Sequence, residues 1–238
     1  MDNIRTYRNW VEDKDLVSFV VAVGESDLFI RARTNLEAQA QRSVRKQRAF
    51  IETYIQSDPE FALTLEPYQI KGKAAKIVQD MVEASSLAGV GPMAAVAGAV
   101  AEHVGRDLLG YSPEVIVENG GDIFLKTQKT RKIGIYAGKS SLSGKLALEA
   151  AAGIWGICTS SGTVGHSLSF GRTDAAVVIC HSAIVADAWA TRLGNMVKSA
   201  DDIEKALDFA KQQPTIKGTV FIVGDKIGAW GEVKLVKS

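Results

Sequence analysis

The residues of this chain whose types and spacing suit chemistry fall within one stretch, Gly156 to Met196. Thr159, Ser160, Ser161 and Gly162 make a hydroxyl- and glycine-rich turn, and His166, one of three histidines, follows after Thr163, Val164 and Gly165. An apolar run from Ala175 to Cys180 leads into a helix-like segment that carries Asp187 and Thr191 among Ala, Val and Trp. Residues four apart on a helix share a face, so this carboxylate and hydroxyl point the same way from an otherwise apolar surface. Two oxygen ligands so placed suit a hard cation such as Mg²⁺, which is held by one or two carboxylates and completed by water or phosphate. The alternatives are plain ones. Asp187 can accept hydrogen bonds from a neighbouring loop, and a lone histidine such as His166 more often serves structure than catalysis.

The elements that must position these groups begin with alternating apolar residues over Val17 to Val23, then Gly24 to Asp27 and a second run, Leu28 to Ala32, which predicts a β-hairpin. Thr34 stands three before Glu37 as a capping box, and a helix of about twenty residues follows at 3.6-residue spacing and ends before Pro59. Its basic residues, Arg42, Arg45, Lys46 and Arg48, form either a solvated face or an anion patch. Ala74 to Ala84 reads as a second helix. Ala88 to Pro92 opens a third, Met93 to Val104, whose small residues all round predict deep burial. That Gly-rich entry lacks the Lys and Ser/Thr of a P-loop, which favours a simple helix start over a phosphate cradle.

Short strands at Val115 to Val117 and Ile123 to Leu125 flank Asn119, Gly120, Gly121 and Asp122. Two glycines between strands mean a turn, or a ligand that approaches the backbone closely with Asn119 and Asp122 beside it. Asp174 reads as a turn residue, and neither His103 nor His181 shows a partner pattern. Ile133 to Tyr136 is a further strand, Ala200 to Gln212 a helix, and Val220 to Val223 with Ile227 to Trp230 a closing hairpin. Hairpins and helices without steady strand-helix alternation predict an α+β fold with a largely antiparallel sheet and packed helices.

Composition sets the outer limits. At 238 residues, 46% hydrophobic and 23% charged, the chain can build a substantial core and is not a disordered one. A formal net charge of +1 favours neither nucleic acid nor an acidic membrane surface, so an anionic ligand must be held locally. The charged start, MDNIRTYRNWVEDKD, lacks the apolar stretch of a signal peptide, and no apolar run approaches the roughly 20 residues of a membrane span. A cytoplasmic protein without membrane partners is the expectation. Cys158 and Cys180, in strand-like apolar runs without metal-type spacing, read as buried free thiols.

Taken in order, Asn119-Gly120-Gly121-Asp122, Thr159-Ser160-Ser161-Gly162, His166 and Ala186-Asp187-Ala188-Trp189-Ala190-Thr191 resemble the ApbE-type flavin transferases. That family carries a GGD segment, a TSG segment, a downstream histidine and an A-D-A-x-x-T helix in the same order. The resemblance is sharp over about residues 115–197, architectural before that, and closest to a short cytoplasmic branch of the superfamily. It implies one T-fold-like domain over 1–238, with an N-terminal hairpin and long helix over 1–60 and a motif-bearing core over 85–238. It implies FAD or FMN and Mg²⁺ as cofactors, and FMN transfer from FAD to a threonine of an acceptor protein, or pyrophosphate cleavage. Carried over by motif, Asp187 and Thr191 are metal ligands. The backbone at Gly120, Gly121 and Asp122, with Asn119, lines the flavin pocket, Thr159 to Gly162 lie against the nucleotide, and His166 is the catalytic histidine. A chemistry that breaks a pyrophosphate agrees with such a set, since Mg²⁺ neutralises its oxygens and a base deprotonates the accepting hydroxyl. Two departures stand out: the family pattern H-x-x-D-P is replaced by His166-Ser167-Leu168-Ser169-Phe170, and three residues alone separate the TSG segment from the histidine. They predict an open, shallower pocket and keep a non-catalytic flavin- or nucleotide-binding module, or a purely structural protein, in view. Sheets of this kind often finish their burial against another subunit, so a homo-oligomer is also expected, through the closing hairpin.

Overall fold

The computed structural model describes residues 15–163 and 171–238. The first alternation forms the hairpin of β1 (Val17–Val23) and β2 (Ser26–Ala32), turning at Gly24 with φ +56°. Helix α1 (Glu37–Ser57) has the expected length, but the capping box does not form. Leu36, buried in the core, occupies the N-cap, and Asn35 Oδ1 accepts from the Glu37 amide at 2.9 Å. Burial of Leu36 sets the start of this helix and moves it past Thr34. Arg42, Arg45 and Lys46 are exposed on α1, the solvated alternative for its basic residues, whereas Arg48 is half-buried and pairs with Glu25 and Glu52.

A short helix, α2 (Glu60–Leu63), precedes α3 (Lys76–Ala88), which closes on Gly89 at φ +68°. A 3₁₀ turn over Pro92–Ala95 leads into α4 (Val96–Leu108). The entry glycine Gly91 is packed against chain, since a Cβ there would lie 2.0 Å from the Thr64 carbonyl oxygen. Then come β3 (Val115–Asn119), β4 (Asp122–Thr127), β5 (Arg131–Gly134), β6 (Leu146–Ala150), β7 (Gly153–Ser160), β8 (Ala175–Cys180), α5 (Ala183–Met196), α6 (Ile203–Lys211), β9 (Gly218–Val223), β10 (Lys226–Gly231) and β11 (Leu235–Lys237).

Eight strands pair in the order β1-β2-β3-β4-β7-β8-β9-β10, antiparallel throughout, so the fold is α+β with an antiparallel sheet. Of the second sheet, β11-β6-β5, the pattern showed a strand at Ile133 to Tyr136, found as β5 two residues earlier; β6, β11 and α2 were not legible in it. Side chains alternate across a strand, and the two faces of the large sheet carry separate cores. Val117, Phe124, Cys158 and Val178 face the helices, whereas Ile116, Leu125, Ile157 and Val177 face the small sheet with Ile133 and Leu148. Strand β8, buried at all six positions, is covered on both faces. Among the described residues no single helix is long and apolar enough to cross a membrane.

Candidate functional site

Alternation along β4 and β7 decides what meets the helices. Asp122 shares a face with Phe124, and Cys158 shares one with Gly156, so both polar groups lie on the helix side of the sheet. Gly120 and Gly121 are the turn between β3 and β4, with φ +69° and +113°, a backbone open to glycine at little cost. Asp122 Oδ1 accepts from the Thr159 amide at 3.3 Å, which ties the GGD turn directly to the TSSG segment. Asn119 Nδ2 donates to the Ala97 carbonyl at 3.2 Å, at the start of α4.

Helix α5 lies across this corner because two glycines admit it. A Cβ on Gly156 would come 2.3 Å from the Ala183 nitrogen, and one on Gly98 would come 2.3 Å from the Ala183 oxygen and 2.8 Å from Asp187 Cβ. The close approach delivers Asp187 to the first turn of α4, where its Oδ2 accepts from the Gly98 amide at 2.8 Å. Thr191, one turn on, is half-buried. Asp187 and Asp122 are 8% and 9% exposed, and among the described residues neither forms an ion pair. Burial pushes Asp122 up to about 7, against the Thr159 amide and the Cys158 thiol, and the Glu118 charge adds to the rise. Burial and then the charge of Asp122 push Asp187 well above the ordinary carboxylate range, against the Gly98 and Ala97 amides. Between them the Cys158 thiol is itself raised by burial and by both carboxylates, and its Sγ donates to the Ala183 carbonyl at 3.3 Å. Both cysteines are free and buried.

The hydroxyl-rich turn continues from the end of β7. Gly194 of α5 comes close to Ser160, Oγ lying 3.2 Å from where a Cβ would be. The Gly162 amide donates to the Thr173 carbonyl at 2.9 Å, and Thr163 Oγ1 donates to Asp174 Oδ1 at 2.9 Å. Asp174 Oδ2 also accepts from the Gly224 amide at 2.7 Å, so this turn residue ties the TSSG segment to the β9–β10 hairpin. His166 lies outside the described residues.

The structure thus brings Asn119, Asp122, Thr159 and Asp187 into one corner under the start of α4. Sequence reasoning missed Gly98 and Glu102, both buried on α4 and facing α5. A signal for Glu102 existed: an acidic residue in a helix of small apolar residues demands a partner. His103, without an evident partner in the sequence, pairs with Asp80 at 2.9 Å beside a cleft of about 470 Å³ between α3, α4 and the start of α5.

Among the described residues no group of three or more His, Cys, Asp or Glu side chains is placed to hold a metal ion. Mg²⁺ asks for less, one or two carboxylates with the remainder supplied by hydroxyl, water or phosphate. Asp187, buried without a cation among the described residues, and the Thr191 hydroxyl one turn on fit that donor set, with Asp122 a neighbouring carboxyl.

A family model described as AbpE bacteria matches residues 8–227. A UPF0280 protein of Methanosarcina barkeri is 44% identical over 200 residues, spanning 83% of this chain and 79% of the relative. A UPF0280 protein of Methanocaldococcus jannaschii is 40% identical over 208 residues, 84% of each chain. Among solved structures, the flavin transferase ApbE from Vibrio cholerae superposes with a TM-score of 0.63 at 13% identity, over 91% of this chain and 96% of that one. The apo flavinyl transferase ApbE of Pseudomonas stutzeri gives 0.58 at 13% identity, over 90% and 94%. At such identities the likeness to the solved structures is one of fold.

Proposed function

Since the chain belongs to the AbpE bacteria family of ApbE-like proteins, we propose that it binds a flavin nucleotide with Mg²⁺ and acts on the pyrophosphate of FAD or a related nucleotide. The observation that carries this reading is the uncompensated pair of buried carboxylates, Asp122 and Asp187, at the junction of the GGD, TSSG and A-D-A-x-x-T segments. Buried acids left without a cation are costly, and strongly perturbed groups cluster at functional sites. Bound Mg²⁺ would neutralise the pyrophosphate oxygens.

The chain's own residues divide the remaining work. Asp187 and Thr191 hold the metal. Asn119, Gly120, Gly121 and Asp122 line the flavin side, and Thr159, Ser160, Ser161 and Gly162 offer hydroxyls and amides to the nucleotide. His166, carried over from the family order, takes the proton of the attacking hydroxyl. In transfer, a threonine hydroxyl of an acceptor protein forms a bond to the FMN phosphorus, the pyrophosphate bond breaks, and AMP leaves; in cleavage, water replaces the threonine. A second reading, a binding module without turnover, is favoured by Ser169 and Phe170 standing where the family has an acid and a proline.

Incubation of the purified protein with FAD and Mg²⁺ separates the two. Bound flavin with AMP release supports the enzyme, and bound flavin without AMP supports the module. Absence of bound flavin would sink both. The working place of this chemistry is the cytoplasm, without nucleic acid or membrane as a partner. The assembly is a homo-oligomer joined through β10, an edge strand of the large sheet. A monomer mass by light scattering at micromolar concentration would overturn that assembly.

A further inference from the structure

Helices α4 and α5 cap each other. The Gly98 amide in the first turn of α4 donates to Asp187 on α5 at 2.8 Å. One turn further along α4, Glu102 turns Oε2 to the start of α5 and accepts from Ser182 Oγ at 2.7 Å, the Ala183 amide at 2.7 Å and the Ile184 amide at 3.3 Å. Its Oε1 accepts from Arg106 Nε at 2.9 Å and Nη2 at 2.6 Å. Glu102 is 3% exposed, so this is a buried carboxylate with both oxygens engaged.

The first amides of a helix have no partner within it and concentrate partial positive charge, so a carboxylate there holds the helix end firmly. The cap that α5 supplies for itself, Ser182 Oγ accepting from the Val185 amide at 3.4 Å, is weak by comparison. Gly98 and Glu102, four residues apart, lie on one face of α4 and grip α5 at two points, also four residues apart, Ala183 and Asp187. Gly156 closes the sheet side, and the cleft of about 470 Å³ that Glu102, Arg106, Ser182 and Ile184 help to line leaves the outer side open. Glu102 therefore ties the first turn of α5 to α4 on the side where the cleft lies.

We infer that Glu102 is a positioning residue for the Asp187 carboxylate: it latches the start of α5 to α4 and so sets where Asp187 meets the Gly98 amide and the Asp122 corner. The functional consequence rests on the metal role proposed for Asp187, whereas the positional one does not.

The Gly98 amide reports the position directly, because its acceptor is Asp187 and not Glu102. In Glu102→Gln, which keeps the size of the side chain but sets an amide NH₂ against donors, hydrogen exchange at Gly98 read by NMR without metal should quicken about tenfold. Amides of β8 and β9 should keep their rates. Arg106→Met, which frees Oε1 without touching α5, should move Gly98 the same way by less and serves if the first variant fails to fold. Magnesium affinity by calorimetry should fall about tenfold in Glu102→Gln, while FMN binding measured without Mg²⁺ is unchanged. Unchanged Gly98 exchange overturns the inference, and so does a uniform quickening of all amides, which marks a merely structural residue. If the wild-type protein binds no Mg²⁺, the proposed metal role fails, and the Gly98 amide still decides the positional inference.

Discussion

Glu114, 1% exposed ahead of β3, and the pair Asp122 and Asp187 under α4 are all buried acids, and their surroundings differ in kind. Glu114 meets two guanidinium groups, Arg131 and Arg33, and Arg131 also holds Asp15 through Nη1 at 2.8 Å and Nη2 at 3.0 Å. Burial alone would raise Glu114, but Arg131 and then Arg33 hold it below its usual value. Asp122 and Asp187 meet amides and a thiol instead, and both are pushed up. A charge that serves only the fold is compensated by the fold. A pair left raised keeps its protons more readily, and a bound cation would favour their release, which is the physical content of calling this corner a site.

The comparison breaks most easily at Arg131. Arg131→Met should leave buried Glu114 with Arg33 as its remaining guanidinium and strip Asp15 of its bidentate partner, at a cost of about 3 kcal/mol of stability, measured by urea unfolding; a loss below about 1 kcal/mol would mean that Arg131 is not what holds Glu114. The opposite sign belongs to the site. Asp122 is raised to about 7 when folded and lies near 3.9 when unfolded. Its contribution to stability is fully present below about pH 4 and is lost as pH rises through about 7, on the order of 2–4 kcal/mol without metal. Asp122→Asn should flatten that fall. A urea midpoint with the same pH dependence in both proteins would remove Asp122 as its source.

The smallest of the three effects sharpens the metal side of the comparison. Asp187→Asn keeps an oxygen for the Gly98 amide and removes the charge, so the fold should persist while Mg²⁺ affinity drops by about 10–100-fold. Wild-type and variant titrations that coincide in the calorimeter would show that Asp187 is not a ligand. Binding in the wild-type protein should also strengthen as pH rises toward and past 7, because the carboxylates must lose their protons to take the ion.

Local pattern carried far in this chain. The alternation at Val17 to Val23 is β1, the apolar spacing after Leu36 is α1, and Val220 to Trp230 is the closing hairpin. Each reflects one element burying one face, a property that neighbouring residues settle among themselves. The capping box at Thr34 failed because a distant demand, the burial of Leu36, outweighed a local hydrogen bond. Asp174, read as a turn residue, stands in the bend before β8, and its two oxygens reach Thr163 beyond β7 and Gly224 beyond β9.

By itself the sequence determined the α+β class, the helix that carries Asp187 and Thr191, and the ordered segments that point to an ApbE-like protein. Tertiary structure alone decided that Asp122 meets Thr159, 37 residues away, and that Asp187 meets Gly98, 89 residues away. It also decided that Glu114 finds Arg131 while the two aspartates find no cation among the described residues. The reason is the range of the forces involved. Periodicity records which side of an element faces the core, but the protonation and partners of a buried charge depend on which strands and helices the chain brings beside it, and no local pattern states that.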